Sequence, residues 1–504
     1  MKRLLNALPV AAIATAAFAA VERPNIILVV ADDLGWGDLS CYPQDPAWGD
    51  EVRVSTPNLD KLAKAGVRFT QAYATAMVCA PSRAGLLTGV HQQRFGYYGF
   101  EDTLAPLPRS RKLLPEALRD AGYRTGMVGK WHVSSASGSG PLDRGFERFF
   151  GFGGGQHDYY QANVGETLHG VGRGADAFVY DQERPVAEMR YLTDEFTDRA
   201  LEFIAQPDKR PFFLYLAYNA PHPPMQAPWS YLEKYARERP KQKFTPRDIA
   251  RAMIENLDEN IGRLCDSLSE RGILDNTLIV FTSDNGGSDG GPGRMLQHNG
   301  GLKGRKSTYY EGGIRVPLLL SWPAGLAGES VYAAMISHLD LYPTLLAAAG
   351  GSSDGVSLDG VDLLPFLRGE NRGPPRTRLY WCVQNTVAWA VRDGDWKLVR
   401  EDDDPTTLGG PFRGKGPRSY RLQLYHIATD PHETTDRLDA EPAVVARLTT
   451  LMEEFRAQTQ PSLATPEIIK EWKATLARRA QTPEINNARS PSGSPGHWRG
   501  GEKN

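Results

Sequence analysis

Asn25-Ile26-Ile27-Leu28-Val29-Val30-Ala31-Asp32-Asp33 is the stretch from which the fold is read. Its apolar residues run without alternation and stop at a pair of carboxylates. A short strand that is apolar on both faces suits a sheet covered on both sides. Three more segments of this kind come later, from Thr125 to Val128, Phe212 to Tyr218 and Thr277 to Thr282. Helical periodicity lies between them and is clearest from Pro246 to Arg271, where Thr245 can cap and Pro246 can occupy the first turn. The alternation predicts an α/β fold, a large and mostly parallel sheet sandwiched by helices.

Past roughly residue 375, after a Gly-Pro-Pro stretch, the pattern changes. Val387 to Val391 and Trp396 to Arg400 read as a hairpin around Asp393-Gly394, Leu422 to Tyr425 as another strand, and Pro442 to Ala457 as a closing helix. The expected organisation is a main domain over 22–375, a smaller α+β domain over 376–481, and a disordered tail over 482–504, rich in Asn, Ser, Pro and Gly. At the other end, residues 1–19 read as an export signal. Lys2 and Arg3 precede an alanine-rich apolar run from Ala7 to Val21, and Ala17-Phe18-Ala19 supplies a cleavage pattern. The expectation is a periplasmic or extracellular protein with no membrane span.

Composition narrows the partners. The 504 residues are 41% hydrophobic and 23% charged, with a formal net charge of −2, so nothing global attracts nucleic acid or an anionic membrane, and neither is expected as a partner. Affinity for an anion must come from a local cluster of cations. Of the four cysteines, Cys265 falls on the apolar face of the 246–271 helix, while Cys41 and Cys382 pair or stay free without a sequence signal to decide.

The residues just past each strand carry the informative pattern. Asp32-Asp33 stands after the first, Lys130 and His132 after the second, His222 after the third and Asp284-Asn285 after the fourth. Ligands of open α/β sheets bind outside the carboxyl ends of strands, so these groups are expected on one edge. Asp32, Asp33, Asp284 and Asn285 offer hard oxygen donors without clustered histidine or cysteine, a set suited to calcium or magnesium. An isolated Asp-Asp pair is more often turn chemistry; the Asp284-Asn285-Gly286-Gly287 turn tips the reading to a metal. Cys79-Ala80-Pro81-Ser82-Arg83 leads into Ala84-Gly85-Leu86-Leu87-Thr88-Gly89, and a helix beginning near Ser82 would aim N–H groups at Cys79, acidify it and welcome an anion. A buried structural cysteine is the bland alternative.

Cys-x-Pro-Ser-Arg followed by Leu-Thr-Gly resembles the signature of the type I sulfatases, members of the alkaline-phosphatase-like superfamily. The resemblance runs from about Pro24 to Arg437 through Asp32-Asp33-Leu34-Gly35-Trp36-Gly37-Asp38, Gly129-Lys130-Trp131-His132, Ala220-Pro221-His222, Ser283-Asp284-Asn285-Gly286 and Tyr310-Glu311-Gly312-Gly313-Ile314-Arg315, in the family's order. It implies that Cys79 is converted to formylglycine by a separate maturation enzyme. The hydrated aldehyde is the nucleophile: one hydroxyl attacks, and loss of the other's proton expels sulfate, which a serine ester does not permit. It further implies one calcium on Asp32, Asp33, Asp284 and Asn285. Arg83 and Lys130 would stabilise the hydrate, His222 would act as general acid and His132 as base for the elimination.

The family's sulfate-binding lysine stands five residues before the glutamate of its Tyr-Glu-Gly-Gly run, which selects Lys306 and leaves Lys303 a supporting or surface role. Gln156-His157-Asp158-Tyr159 is similar to a loop of N-acetylgalactosamine and galactose sulfatases. His157 and Asp158 are therefore candidates to bind sugar hydroxyls, Tyr159 and Tyr160 to stack on a ring, and His298 and Asn299 to reach the substrate. A loop packed by its own aromatics is the competing reading. Together with export, the loop favours a sulfated polysaccharide or glycosaminoglycan fragment over a small aryl sulfate.

Two rivals compete with this reading. A phosphate or phosphonate hydrolase of the superfamily would use Ser or Thr with histidine-bound zinc, and those clustered histidines are missing. A silent carbohydrate-binding relative would have lost a catalytic group, and none of those named is missing.

Overall fold

A computed structural model describes residues 22–43, 53–162, 178–238, 243–288, 296–353, 355–384, 388–402 and 420–479. The export signal, the tail over 482–504 and Val387 lie outside the described residues.

Asn25–Ala31 forms the expected strand at the centre of a sheet. It pairs in parallel with Thr277–Ser283 on one side and Phe212–Ala217 on the other. Arg124–Lys130 continues beyond Phe212–Ala217, and Arg148–Phe152 beyond that, both parallel. On the far side Arg315–Ser321 joins antiparallel to Thr277–Ser283, followed by Val67–Tyr73. Short edge strands bring the sheet to eleven among the described residues.

The unbroken apolar run of Asn25–Ala31 is explained by period-two alternation between two cores. Ile26, Leu28 and Val30 enter one, with Ala84 and Leu87 of helix Cys79–Thr88 and Leu345 of helix Leu341–Ala348. Ile27, Val29 and Ala31 enter the other, with Phe196 of helix Leu192–Ala205 and Leu257, Ile261 and Leu264 of helix Pro246–Glu270. That long helix starts as read: Thr245 Oγ1 accepts the Asp248 N–H at 3.1 Å, and Asp248 returns a carboxylate to the Thr245 N–H at 2.7 Å. Cys265 packs half-buried against the same core, and Cys41 and Cys382 carry free thiols. No described helix is long and apolar enough to cross a membrane.

A second, antiparallel sheet comes next, in the order Arg378–Cys382, Trp389–Asp393, Trp396–Asp402, Tyr420–His426. Leu448, Met452 and Phe455 of helix Pro442–Arg456 cover one face through Val391, Leu398 and Leu424. The opposite face, with Trp381, Ala390, Val399 and Tyr425, buries itself against Met77, Val78, Tyr309, Tyr310 and Ile314 of the large unit. The small sheet therefore packs on the segments that flank Cys79 and Lys306.

Candidate active site

Thr277–Ser283, Asn25–Ala31, Phe212–Ala217 and Arg124–Lys130 are consecutive neighbours in the sheet, and all point the same way. Their carboxyl ends bring Asp284, Asn285, Asp32, Asp33, His222, Lys130 and His132 to one edge, as the strand pattern implies. Asp33 and His132 both occupy the left-handed region, at φ 66° and 49°. Backbone of this kind costs of order 1 kcal/mol or more per residue and collects at functional sites. The Asp33 N–H is taken by Asp284 Oδ1 at 3.3 Å, one of the contacts that hold the turn.

Each acid has a cation. Lys130 Nζ lies 2.5 Å from Asp32 Oδ2, and Lys306 Nζ 2.6 Å from Asp33 Oδ1. Arg83 places Nε and Nη2 each 2.8 Å from Asp284 Oδ2, and gives Nη1 to the Lys130 carbonyl. Burial opposes ionisation of Asp32, yet Lys130 and then His222 hold it below the usual carboxylate range. Asp33 is likewise lowered, against burial, by Lys306 and His222. Burial also disfavours the Lys306 charge, but Asp33, Cys79 and Asp32 outweigh it and raise the ammonium above its ordinary value.

Two oxygens are left over. Asp32 Oδ1 and Asn285 Oδ1 are buried and have no hydrogen-bond partner among the described residues. Asn285 spends its Nδ2 on Asp33 Oδ1 at 2.8 Å and on the Gly286 carbonyl, which leaves its oxygen buried without a donor among the described residues. Ligand atoms of Asp32, Asp33 and His222 lie within 4.8 Å of one another, as do those of Asp32, Cys79 and Asp284. Orphaned buried oxygens of this chemistry fit a hard divalent cation held by Asp32, Asp33, Asp284 and Asn285.

Two expectations about Cys79 are corrected. The helix begins at Cys79 itself, with Val78 as the extended capping residue; Ser82 supplies only the first helical N–H, to the Val78 carbonyl at 3.3 Å. Pro81 is tolerated because the first-turn N–H groups have no intrahelical acceptor. The thiol, moreover, is not acidified. Burial raises it above the ordinary cysteine value, and Lys130 and Lys306 do not compensate, with Asp32 and Asp284 opposing them.

His132 is held well below the normal imidazole range by burial, then by Lys130, Arg83, His222 and Lys306, so it is neutral and able to accept a proton. Its Nδ1 has no hydrogen-bond partner among the described residues, and its ring stacks on Phe100 at 5.8 Å. Burial also lowers His222, against the pull of Asp32 and Asp33. Its Nδ1 sits 2.6 Å from the Pro223 carbonyl, and Nε2 lies 3.7 Å from Asp33 Oδ2.

The residues assigned to sugar recognition behave differently. Asp158 Oδ1 accepts the N–H groups of Tyr160 and Gln161, and Oδ2 accepts from Gln226 at 2.8 Å, so its carboxylate is engaged in shaping the loop. His157 is buried, with Nδ1 at 2.9 Å from the Asp158 carbonyl. Tyr159 is not a platform for a sugar ring: it is fully buried, stacks on Tyr191, and gives its hydroxyl to the Asn219 and His222 carbonyls at 2.7 and 2.9 Å. Its packing partner, Tyr191, comes from outside the loop. Asn299 uses both ends of its amide on Gly287, at 2.7 and 3.1 Å, and thereby fixes the turn after Asn285. His298 packs beside it, its N–H on Asp38 Oδ2 and its Nδ1 accepting from Gly300. Lys303 reaches away to the Tyr425 hydroxyl at 2.7 Å.

Sequence reasoning missed the props behind these groups. Arg247 holds Asp38 at 2.7 Å, and Gln297 Nε2 meets the Pro221 carbonyl at 2.8 Å beside His222. Only Asp38, inside the Asp32-to-Asp38 run, carried a local signal.

The chain is similar to known proteins over most of its length. The family model described as Sulfatase matches residues 24–352, and one described as N-sulphoglucosamine sulphohydrolase, C-terminal, matches 304–408. Arylsulfatase A of Homo sapiens is 36% identical over 76% of this chain and 76% of its own length. N-acetylgalactosamine-6-sulfatase of Mus musculus is 33% identical over 77% of this chain and 74% of its own. The solved structure of Ps i-CgsB in complex with k-i-k-neocarrahexaose is 30% identical, with a TM-score of 0.74 over 92% of this chain and 99% of that one.

Proposed function

The chain belongs to the sulfatase family and is a sulfuric ester hydrolase, and from that premise we propose that it desulfates a sulfated saccharide through a formylglycine made from Cys79 and one calcium ion. The observation that carries this reading is the seating of Cys79 at the first turn of a buried helix, grouped with Asp32 and Asp284 and flanked by Lys130, Lys306 and Arg83. Calcium on Asp32, Asp33, Asp284 and Asn285 supplies Lewis-acid charge stabilisation and orientation. A hydrated aldehyde at position 79 supplies a nucleophilic oxygen together with a route for releasing sulfate.

The remaining work falls to this chain's own side chains. Lys306, kept cationic by Asp33, meets the sulfate oxygens. Lys130 and Arg83 offset negative charge around position 79 while anchored on Asp32 and Asp284. His222, braced through Nδ1 by the Pro223 carbonyl, donates a proton to the leaving oxygen; an anionic ester beside it favours the protonated ring. Neutral His132 accepts the proton in the elimination.

A saccharide substrate is supported by the named N-acetylgalactosamine-6-sulfatase and by the oligosaccharide bound to Ps i-CgsB. Export, proposed from residues 1–19, places the enzyme where polymers are met. Cys79 is 1% exposed, so its maturation enzyme would have to act before the helix packs.

Screening the matured enzyme on matched sulfate and phosphate monoesters tests the reaction class. Sulfate esters are expected to lead in kcat/KM by roughly 100-fold or more, about 3 kcal/mol of transition-state preference; parity or a phosphate preference would favour the phosphatase reading. For His222→Ala, kcat on a saccharide sulfate is expected to fall roughly 100- to 10,000-fold, and on an activated aryl sulfate much less. Equal losses on both substrates would remove the acid role from His222.

A further inference from the structure

The loop over 303–314 carries Lys306 and touches both halves of the site. Its Ser307 N–H binds the Met77 carbonyl at 2.8 Å, two residues before Cys79, and its Lys306 N–H binds the Gly287 carbonyl at 3.0 Å, two residues after Asn285. Gly286 donates to the Gly313 carbonyl at 3.0 Å, and a Cβ on Gly286 would meet the Gly312 oxygen at 1.9 Å, so the two turns interlock only as glycines. The loop also closes on itself around a left-handed Ser307, φ 74°: the Lys303 carbonyl accepts the Gly312 N–H at 2.7 Å and the Arg305 carbonyl the Thr308 N–H at 3.0 Å.

The small sheet fixes it from behind. Glu401 accepts the Tyr309 N–H at 2.6 Å, Gln423 accepts from the Tyr310 hydroxyl, and Glu433 Oε2 accepts the Glu311 N–H at 2.8 Å. Lys397 Nζ sits 2.9 Å from Glu311 Oε1 and 2.9 Å from Glu433 Oε1, with all these side chains buried. Tyr73 donates to Glu311 Oε2 at 2.6 Å, and Arg315 Nη1 lies 3.5 Å from the same oxygen. Glu433 itself adopts φ 54°. A buried ammonium between two carboxylates is costly to desolvate and is weak support for stability, which the aromatic packing of Trp381, Tyr309 and Tyr310 already supplies. What it adds is direction: one geometry satisfies every member.

We propose that Lys397 and Glu433 are positioning residues for sulfate-ester hydrolysis, acting through Glu311 to hold the 303–314 loop so that Lys306 stays on Asp33 and over position 79. The proposal rests on the reading of Lys306 as the sulfate-binding lysine, and a double-mutant cycle separates the two. Lys397→Met is expected to lower kcat/KM roughly 10- to 100-fold, the effect of an ångström-scale misplacement. In a Lys306→Ala background the same change is expected to cost less than about threefold, because the group it positions is gone. A stability-only role would leave the two effects multiplicative, and that outcome overturns the proposal while the sulfate-site reading stands. A Lys306→Ala enzyme with the parent rate would overturn both. Glu433→Gln, isosteric and still able to accept the Glu311 N–H, runs the same cycle if Lys397→Met does not fold, with thermal melting reporting the folded fraction.

Discussion

Cys79→Ala is expected to lower turnover by about four orders of magnitude or more, because it deletes the nucleophile of a covalent mechanism and leaves only binding and electrostatics. The protein itself should survive. Cys79 is buried at the first turn of Cys79–Thr88, and alanine is the better helix former. Losing one buried heavy atom costs about 1 kcal/mol. The structure adds a reason to expect that an unmodified thiol is also inert: burial holds it above the normal cysteine range, so little thiolate exists at neutral pH. The comparison to make is between alanine-bearing, unmodified and matured protein, assayed on an activated aryl sulfate and typed at position 79 by mass spectrometry. More than about 1% of the matured rate in either of the first two would remove position 79 from the chemistry.

Chelation of the divalent cation is expected to be nearly as damaging to activity and mild in its effect on folding. Charge stabilisation by a bound metal is worth several kcal/mol in the transition state, so the rate should fall roughly 1,000-fold and return with calcium. Folding should persist because Asp32, Asp33 and Asp284 do not face one another unpaired. Lys130, Lys306 and Arg83 each neutralise one of them within the protein. Melting curves with and without chelator, read beside activity, check both halves. Unchanged activity in demonstrably metal-free protein would dismiss the metal site. Wholesale unfolding on chelation would instead show that the internal ion pairs do not suffice.

The strand reading succeeded where the chain is buried on both faces, because an unbroken apolar run needs no knowledge of its neighbours to be recognised. The 25–31 strand and the helix over 246–270 came out nearly to the residue. The Cys79 helix start was misplaced by three positions since the first intrahelical N–H, at Ser82, comes after the first helical residue by that interval. Thiol acidity was misjudged for a different reason: a helix N-terminus lowers a pKa only if burial does not oppose it more strongly, and burial is a tertiary quantity.

By itself the sequence determined the α/β class, the edge of the sheet on which chemistry collects, and the identity of the acids, histidines and lysines there. Those come from periodicity and from the residues standing just past each strand, both local properties of the chain, except Lys306, which only the family resemblance singled out. Only the tertiary structure decided which cation serves which carboxylate, that Asp32 and Asn285 each keep an oxygen without a hydrogen-bond partner among the described residues, that Tyr159 is packed away, and that Lys397 and Glu433 meet on Glu311 in the loop that carries Lys306. These are contacts between segments tens to hundreds of residues apart, where side-chain direction and desolvation set the outcome and no stretch of sequence records either.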